Sequence, residues 1–502
     1  MGLMRLNVRC PERIADPDLK RVYLAGPDDL PYHGRAHLAG DMLHIERRED
    51  ASGALCVPWV LDEHGVWMIN TTTLMERERP YQLEVELARG IVFRVRNQLA
   101  AWQMLGLKAP EDLTNLISEA TTAFSRSAVM QADPPAAVAK AIEAISLGAA
   151  ASLRLADVYA EQALSVRTAN GARLPTLLGV RMAAPPDPGK GLGYGEQLDP
   201  FSIISIPSGW KDVEPTEAKR EWSPIDDTVK WAQENRRRVS LGPLLEFCDS
   251  RVPEWAYLFE GEGDTLASLM LGHVEACVKR YRGRVNLWNV AGRVNRSRVL
   301  GLTDEQRLQL VARAVRRVRE LDPGTPVTVC FDQPWGESLA SESADLAAIE
   351  FADALERADL GIAGFGVELN IGYLPNGTTP RSPLAYSQLL DNWSLRLELP
   401  LLVMLTLPSG AGPDPKAVSK VKALQASGNP DAPPFPSPDS QAEWIQSCLP
   451  VFLAKNCVQV VIYNQLRDDV PHELPHGGLV DAAGVAKPAA AALAELRGQY
   501  LA

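Results

Sequence analysis

The stretch that decides the fold is Gly361-Ile-Ala-Gly-Phe-Gly-Val-Glu-Leu-Asn-Ile-Gly-Tyr373. It opens on small and apolar residues, as a strand buried on both faces does, and closes on polar ones. Glu368 and Asn370 lie two residues apart. On a strand that spacing puts both side chains on one face and sends Leu369 and Ile371 to the other. An apolar parallel strand ending in a carboxylate and an amide is what an α/β barrel presents at its catalytic end. The alternative is a strand end capped by solvated polar groups.

The same pattern recurs on either side. Apolar strand-like runs fall near 174–181, 201–206, 239–247, 285–291, 326–332, 361–370, 399–407 and 458–464. Helical periodicity lies between them, near 224–238, 265–282, 303–321, 341–358, 383–397 and 441–455, with a last helix near 488–500. Eight strands alternating with helices predict a (β/α)8 TIM barrel over residues 173–502. A doubly wound sheet is the rival, and it would want a phosphate fingerprint directly after its first strand. Gly189-Lys-Gly-Leu-Gly-Tyr-Gly195 is glycine-rich, but Ala183-Ala-Pro-Pro-Asp-Pro188 separates it from that strand. It also lacks the Lys-Ser/Thr of a P-loop and reads as a flexible loop. The Pro-rich stretch 428–438, after the seventh strand, is expected at the catalytic mouth.

Ahead of the barrel the pattern differs. Residues 1–108 are short alternating segments such as Leu55-Cys-Val-Pro-Trp-Val60, Val66-Trp-Met-Ile69 and Tyr81-Gln-Leu-Glu-Val-Glu-Leu87, with turn-forming residues between them. They predict an N-terminal β-sandwich. Its Trp59, Trp67, Tyr81 and Trp102 read either as core or as platforms for sugar rings, in the manner of a carbohydrate-binding module. Residues 109–172 switch to helical periodicity. One helix opens at Pro110-Glu-Asp-Leu113, and an Ala-rich one runs from about 135 to 168, so a helical hairpin is expected.

The chain carries a net charge of −12 over 502 residues. That argues against a nucleic-acid partner and an anionic membrane surface, and is compatible with a neutral substrate. Seven cysteines without a C-x-x-C pair read as small core residues in a reducing compartment. With no apolar leader at the N-terminus, a cytoplasmic protein is expected. The apolar run near Ala149 is broken by Arg154 and Asp157, so no membrane span is expected.

Barrel active sites use the C-terminal ends of the strands. Strand 2 ends in Trp210 and Lys211, strand 3 in Glu246, and strand 4 in Asn289 and Arg293. Strand 5 ends in Asp332, Gln333, Trp335 and Glu337, and strand 6 in Glu368, Asn370 and Tyr373. Strand 8 ends in Asn464, Gln465 and Asp468, followed by His472 and His476. Acids for glycosyl chemistry, amides for hydroxyls and indoles for stacking make up a sugar site, so the expected partner is a carbohydrate. No cofactor is expected. His472 and His476 are four apart, but Pro471 and Pro475 forbid the helix that would align them, so no metal is expected either.

These residues carry a resemblance. Over roughly 200–490 the chain resembles glycoside hydrolase family 10, the endo-xylanase family. The matches are Trp210-Lys-Asp-Val-Glu-Pro215, Asp226-Asp-Thr-Val-Lys-Trp-Ala232, Val252-Pro-Glu-Trp255, Arg280-Tyr-Arg-Gly-Arg-Val-Asn-Leu-Trp-Asn-Val290, Gly364-Phe-Gly-Val-Glu368 and Gly478-Leu-Val-Asp-Ala-Ala-Gly-Val-Ala-Lys-Pro488. The resemblance implies a sugar-positioning role for Trp210 and Lys211 and O-glycosyl hydrolysis of a poly- or oligosaccharide. The departures are as specific as the matches. The family's strand 4 reads Trp-Asp-Val-Val-Asn-Glu with the Glu as acid/base, whereas this chain has Trp288-Asn-Val-Ala-Gly-Arg293. The family's nucleophile sits in Thr-Glu-Leu-Asp on strand 7, whereas Leu402-Val-Met-Leu-Thr-Leu-Pro-Ser409 carries no carboxylate. On strand 3 two alignments one residue apart leave the facing of Glu246 open. Two readings follow. Either catalysis has moved to Glu368 with Glu337 or Asp332, or the barrel has lost catalysis and binds a carbohydrate or a protein. Arg293 is then also a candidate partner for a buried Glu368.

Overall fold

The structure, a computed structural model, describes residues 2–16, 19–47, 51–186, 197–296, 299–340, 345–425 and 435–502. The glycine-rich loop 189–195 and residues 428–434 of the Pro-rich stretch lie outside the described residues.

The eight barrel strands are Leu177–Arg181, Ile203–Ile206, Arg238–Leu241 with Leu245–Glu246, Leu287–Gly292, Val327–Asp332, Gly364–Asn370, Leu401–Thr406 and Val458–Tyr463. All neighbours pair in parallel, and strand 8 pairs with strand 1, so the sheet closes on itself. This is a (β/α)8 barrel, with helices such as Gly263–Tyr281, Asp304–Leu321 and Pro383–Leu397 on the connections between strands.

Strand 3, expected as one run, comes in two pieces. Gly242 has φ +133°, and a Cβ there would lie 2.0 Å from the Asn289 carbonyl oxygen, so only glycine fits. Pro243 follows it without an N–H for the ladder. Pairing with strand 4 resumes at Leu245 and Glu246.

Strand 6 alternates as a barrel strand must. Phe365, Val367 and Leu369 pack into the large core shared with the surrounding helices. Gly366, Glu368 and Asn370 face the barrel axis. The interior below them is filled by Ile203, Leu287, Cys330, Leu402, Met404 and Ile462. The polar C-terminal ends therefore stand on an apolar plug.

The N-terminal region holds two four-stranded sheets. One contains Gly34–Ala39, Met42–Arg47, Gly2–Asn7 and Tyr81–Gln82, and the other Pro31–Tyr32, Tyr23–Ala25, Gly53–Leu61 and Gly65–Leu74. Leu6 and Ile45 of the first share a core with Leu24, Val57 and Trp59 of the second. The reading of 81–87 as a strand is corrected, because helix α1 (Leu83–Met104) begins directly after Gln82. Alternation misled there because the intervening acids are buried too. Glu84 accepts the backbone N–H groups of Arg9 and Cys10 at 2.7 and 2.8 Å. Residues 109–172 hold two helices packed on each other, α2 (Glu111–Val129) and α3 (Pro134–Arg167), and α1 adds a third against them. By length and composition α3 could cross a bilayer, but half of that stretch is buried, including Ala137, Ala141, Ala144 and Ile145.

None of the four N-terminal aromatics forms an open platform. Trp59 is fully buried, Trp102 stacks on Tyr159 at 4.1 Å, Tyr81 lies under Arg77, and Trp67 stacks on His64.

Gly90 tests the seating of α1. Gly→Ala inside a helix ordinarily gains about 1 kcal/mol. Here the new Cβ would meet the Asn70 carbonyl oxygen at 1.8 Å, a backbone atom that cannot step aside. Gly90→Ala is therefore expected to lower the melting temperature of the full chain. A rise would show that α1 does not lie against strand Gly65–Leu74.

Candidate functional site

At the C-terminal end of the barrel, the guanidinium of Arg293 holds three carboxylates. It grips Glu368 with two bonds, Nη2 to Oε1 at 2.7 Å and Nε to Oε2 at 3.1 Å. It also donates to Glu473 and stands 3.4 Å from Glu246. Glu246 lies 3.6 Å from Arg181 and 3.7 Å from Arg251, and Arg251 reaches Glu473 at 3.0 Å. The backbone turns sharply at Arg293, with φ +56°, a conformation a non-glycine residue keeps only when its surroundings hold it there. The open question about strand 3 is thereby answered, since the break at Gly242 delivers Glu246 into the mouth.

Glu368 accepts four N–H donors. Besides the two from Arg293, Asn370 donates at 2.9 Å and Asn464 at 3.1 Å. Its neighbour Asp332 faces it in register from strand 5, and Asn370 stands between them, 3.4 Å from Asp332. Asp332 accepts from Arg296 at 2.6 Å and from the Gln333 backbone N–H at 2.9 Å, while Asn295 closes both ends of its own peptide. Arg293, Glu246, Glu368 and Asp332 are each no more than 3% exposed.

The environments drive the two carboxyls apart. Burial alone would raise Glu368, but the Arg293 charge and the bonds from Arg293 and Asn370 outweigh it and hold the group below its ordinary value. For Asp332 burial wins over Arg296, the charge on Glu368 adds to it, and the carboxyl is pushed up to about 6. Glu473 is held low by Arg293 and Arg251 against its burial. A carboxylate bound by four donors is a poor nucleophile and a weak base.

Of the sequence candidates, the structure brings Glu246, Arg293, Asp332, Asn370, Asn464 and Glu368 into this one network. Asn289 is buried beside them on strand 4, and its side-chain oxygen has no protein partner among the described residues. Gln333 is buried with φ +48° and bonds Asp332 through its backbone.

The others go elsewhere. Glu337 opens a short helix, Glu337–Ala340, and pairs with Arg381 at 2.7 Å. Arg381 also donates to the Tyr23 hydroxyl of the N-terminal sheet, so Glu337 belongs to the seam between sheets and barrel. Trp335 lies in the same seam, its ring 3.8 Å from the Arg381 guanidinium. Trp210 is a core residue, edge-on to Trp255 and donating to Glu214 at 3.4 Å. Lys211 is at the surface, 3.7 Å from Glu254. Tyr373 is fully buried and donates to the Pro475 carbonyl.

The strand-8 candidates brace loops. Gln465 donates to Asp468, and Lys487 bridges Asp468 to Ser409 at 2.6 and 2.7 Å. His472 meets Asp414 at 2.9 Å, and Asp414 also accepts the His476 backbone N–H, so both histidines fasten the loop after strand 7 to the loop after strand 8. No cluster suited to a metal ion occurs among the described residues.

Sequence reasoning missed Arg181, Arg251, Arg296 and Glu473. Arg181 closes strand 1 and could have been found by the rule applied to the other strand ends. Arg251 and Glu473 sit in loops, and no local pattern marks them.

No family model matches the chain. Over 118 residues it is 28% identical to endo-1,4-beta-xylanase 3 of Hypocrea jecorina, a match covering 23% of this chain and 33% of that protein. Over 88 residues it is 32% identical to endo-1,4-beta-xylanase C of Paenibacillus barcinonensis, covering 16% of this chain and 8% of that protein. The chain thus spans a third or less of the length of these curated relatives. Among solved structures, native xylanase 10B from Thermotoga maritima is 16% identical with a TM-score of 0.48, over 65% of this chain and 95% of that one. Xylanase 10B from Thermotoga petrophila, solved with xylobiose, is 16% identical with a TM-score of 0.47, over 67% and 96%. The protein is a (β/α)8 barrel with local sequence similarity to endo-1,4-beta-xylanases.

Two outcomes test the network. Arg293→Met leaves Glu368, Glu246 and Glu473 facing one another without their shared cation, and breaking a buried pair this way destabilises by about 3–5 kcal/mol. Arg293→Met/Glu368→Gln should recover part of that loss. Equal melting temperatures for the single and double variants would show that the pair is not coupled.

Asp332 adds a pH signature. Its folded value is raised, so its contribution is complete below its unfolded value near 4 and is lost as pH rises through about 6. Asp332→Asn mimics the protonated form. Its melting temperature relative to the unsubstituted protein should climb between pH 4 and 7, and a flat difference would place the carboxyl in an ordinary environment.

Proposed function

We propose that the protein binds a carbohydrate chain at the barrel mouth without hydrolysing it. The observation that carries this reading is the two-bond grip of Arg293 on Glu368, together with its hold on Glu246 and Glu473. Glycoside hydrolysis needs two carboxyls on either side of the scissile bond, about 5–5.5 Å apart for retention and about 6.5–9.5 Å for inversion. Asp332 and Glu368 are neighbours in register on adjacent strands and share Asn370 between them. They stand on one wall of the barrel, whereas the acid and its partner must face the scissile bond from opposite sides. Strand 7 offers no second carboxyl, since Met404 pairs with Glu368 and Thr406 with Asn370. The divergent pKa values of Asp332 and Glu368 follow from burial and arginine pairing and need no catalytic role.

The similarity to xylanases supports a xylo-oligosaccharide as the first ligand to test. The rim that would receive it follows strands 2 and 3. Lys211 lies there, with Trp255 and Tyr257 on the segment Glu254–Phe259, both partly exposed. Trp255 is held edge-on by Trp210 and donates to the Glu214 carbonyl, which sets its ring rigidly.

Calorimetric titration with xylo-oligosaccharides and release of reducing ends from a glycan panel decide the matter together. Binding without release is expected, with affinity falling at least tenfold in Trp255→Ala. Arg293→Glu should stay inactive, because strand 7 still lacks a nucleophile. Hydrolysis by the unsubstituted protein that vanishes in Glu368→Gln would restore the catalytic reading.

A further inference from the structure

A cavity lies in the seam between the N-terminal sheets and the barrel, with about 90 Å³ of free volume. Its walls come from three sources. Strand Gly65–Leu74 gives Trp67, Ile69 and Asn70, helix α1 gives Arg94, and the barrel gives Trp335 and the helix Pro383–Leu397.

The charges at this cavity are already matched. Arg381 is held by Glu337 at 2.7 Å, the Thr379 carbonyl at 2.8 Å and the Tyr23 hydroxyl at 3.2 Å. Arg94 donates to Gln388 at 3.0 Å and stands 3.8 Å from Asp29. Neither an anion nor a cation is called for. The uncharged polar groups are the amides of Asn70, Gln388 and Asn392 and the hydroxyls of Ser152 and Ser382, of which Gln388 is already bonded at both ends, to Arg94 and Gln98. Amides and hydroxyls both donate and accept, as the hydroxyls of a polyol do. Set against indole and aliphatic walls, they suit a neutral ring with an apolar face and a hydroxylated edge.

We propose that this seam cavity is a second carbohydrate site that takes a single sugar residue, separate from the barrel mouth. Its position gives the ligand leverage. Polar links already cross the seam, among them the Met68 N–H to the Pro380 carbonyl at 2.8 Å, Arg21 to the Gly377 carbonyl at 2.6 Å, Arg94 to Gln388 at 3.0 Å and the Tyr23–Arg381–Glu337 chain. A sugar bridging Asn70 and Asn392 would add links across the same joint.

The test uses the full chain with D-xylose, D-glucose and L-arabinose, read by saturation-transfer NMR and calorimetry. Ala385→Phe fills the cavity from the barrel helix, and Asn392→Leu keeps it open but removes an amide. Both are expected to weaken monosaccharide binding at least tenfold, while leaving xylo-oligosaccharide binding at the mouth unchanged. Because Asn392→Leu keeps the number of side-chain heavy atoms, a folding defect in Ala385→Phe does not decide the outcome. The proposal is overturned if none of the three sugars binds, if binding survives unchanged in Asn392→Leu, or if the loss follows Trp255→Ala instead.

Discussion

The mouth of this barrel depends on one contact, the pair of hydrogen bonds between Arg293 and Glu368. Withdrawing either charge from water costs several kcal/mol, which mutual attraction offsets only when the remaining donors and acceptors are also matched. That requirement recruits the surroundings. Asn370 and Asn464 take up the spare lone pairs of Glu368. Glu473 and Glu246 accept the other side of Arg293 and bring in Arg251 and Arg181. Strands 1, 3, 4 and 6 and the loops after strands 3 and 8 are thus bound to one another by charge, at the place where a glycosidase would keep an open cleft.

The consequence for chemistry is direct. A general acid or nucleophile needs a carboxyl that can change its protonation or bonding during turnover. Glu368 is locked in its ionised form by four donors. Asp332, whose proton is held more tightly, is walled in by Arg296, Asn295 and its own backbone. The groups whose pKa values diverge most in this region are the ones with the least freedom to meet a substrate. Divergent values alone do not make a catalytic pair; position across the scissile bond does.

Much of this was legible in the sequence. Period-2 alternation in 361–373 places Glu368 and Asn370 on the axis, and the count of apolar runs gives the eight strands. Arg293, following strand 4, was expected as a candidate partner for a buried Glu368, and the two are paired. The misreadings have specific physical origins. Residues 81–87 alternate in polarity, yet Glu84 is buried as a cap for the N-terminal strand, so polarity there did not report exposure. Trp335 and Glu337 follow strand 5 closely in sequence, but the N-terminal sheet covers that side of the barrel and claims them through Tyr23 and Arg381. Arg251 and Glu473 meet across 222 residues, a pairing no local pattern encodes.

What the network leaves over sets the terms for a ligand. The side-chain oxygens of Asn289, Asn370 and Thr406 are buried at the mouth and have no protein partner among the described residues. A buried polar oxygen without a partner is unfavourable by about 1–3 kcal/mol, so these three mark where the polar groups of the mouth are not matched within the protein. The charges have been spent on one another, and the neutral oxygens have not. On the proposed reading, a carbohydrate at this mouth would meet neutral amides and hydroxyls on strands 4, 6 and 7 and the partly exposed Trp255.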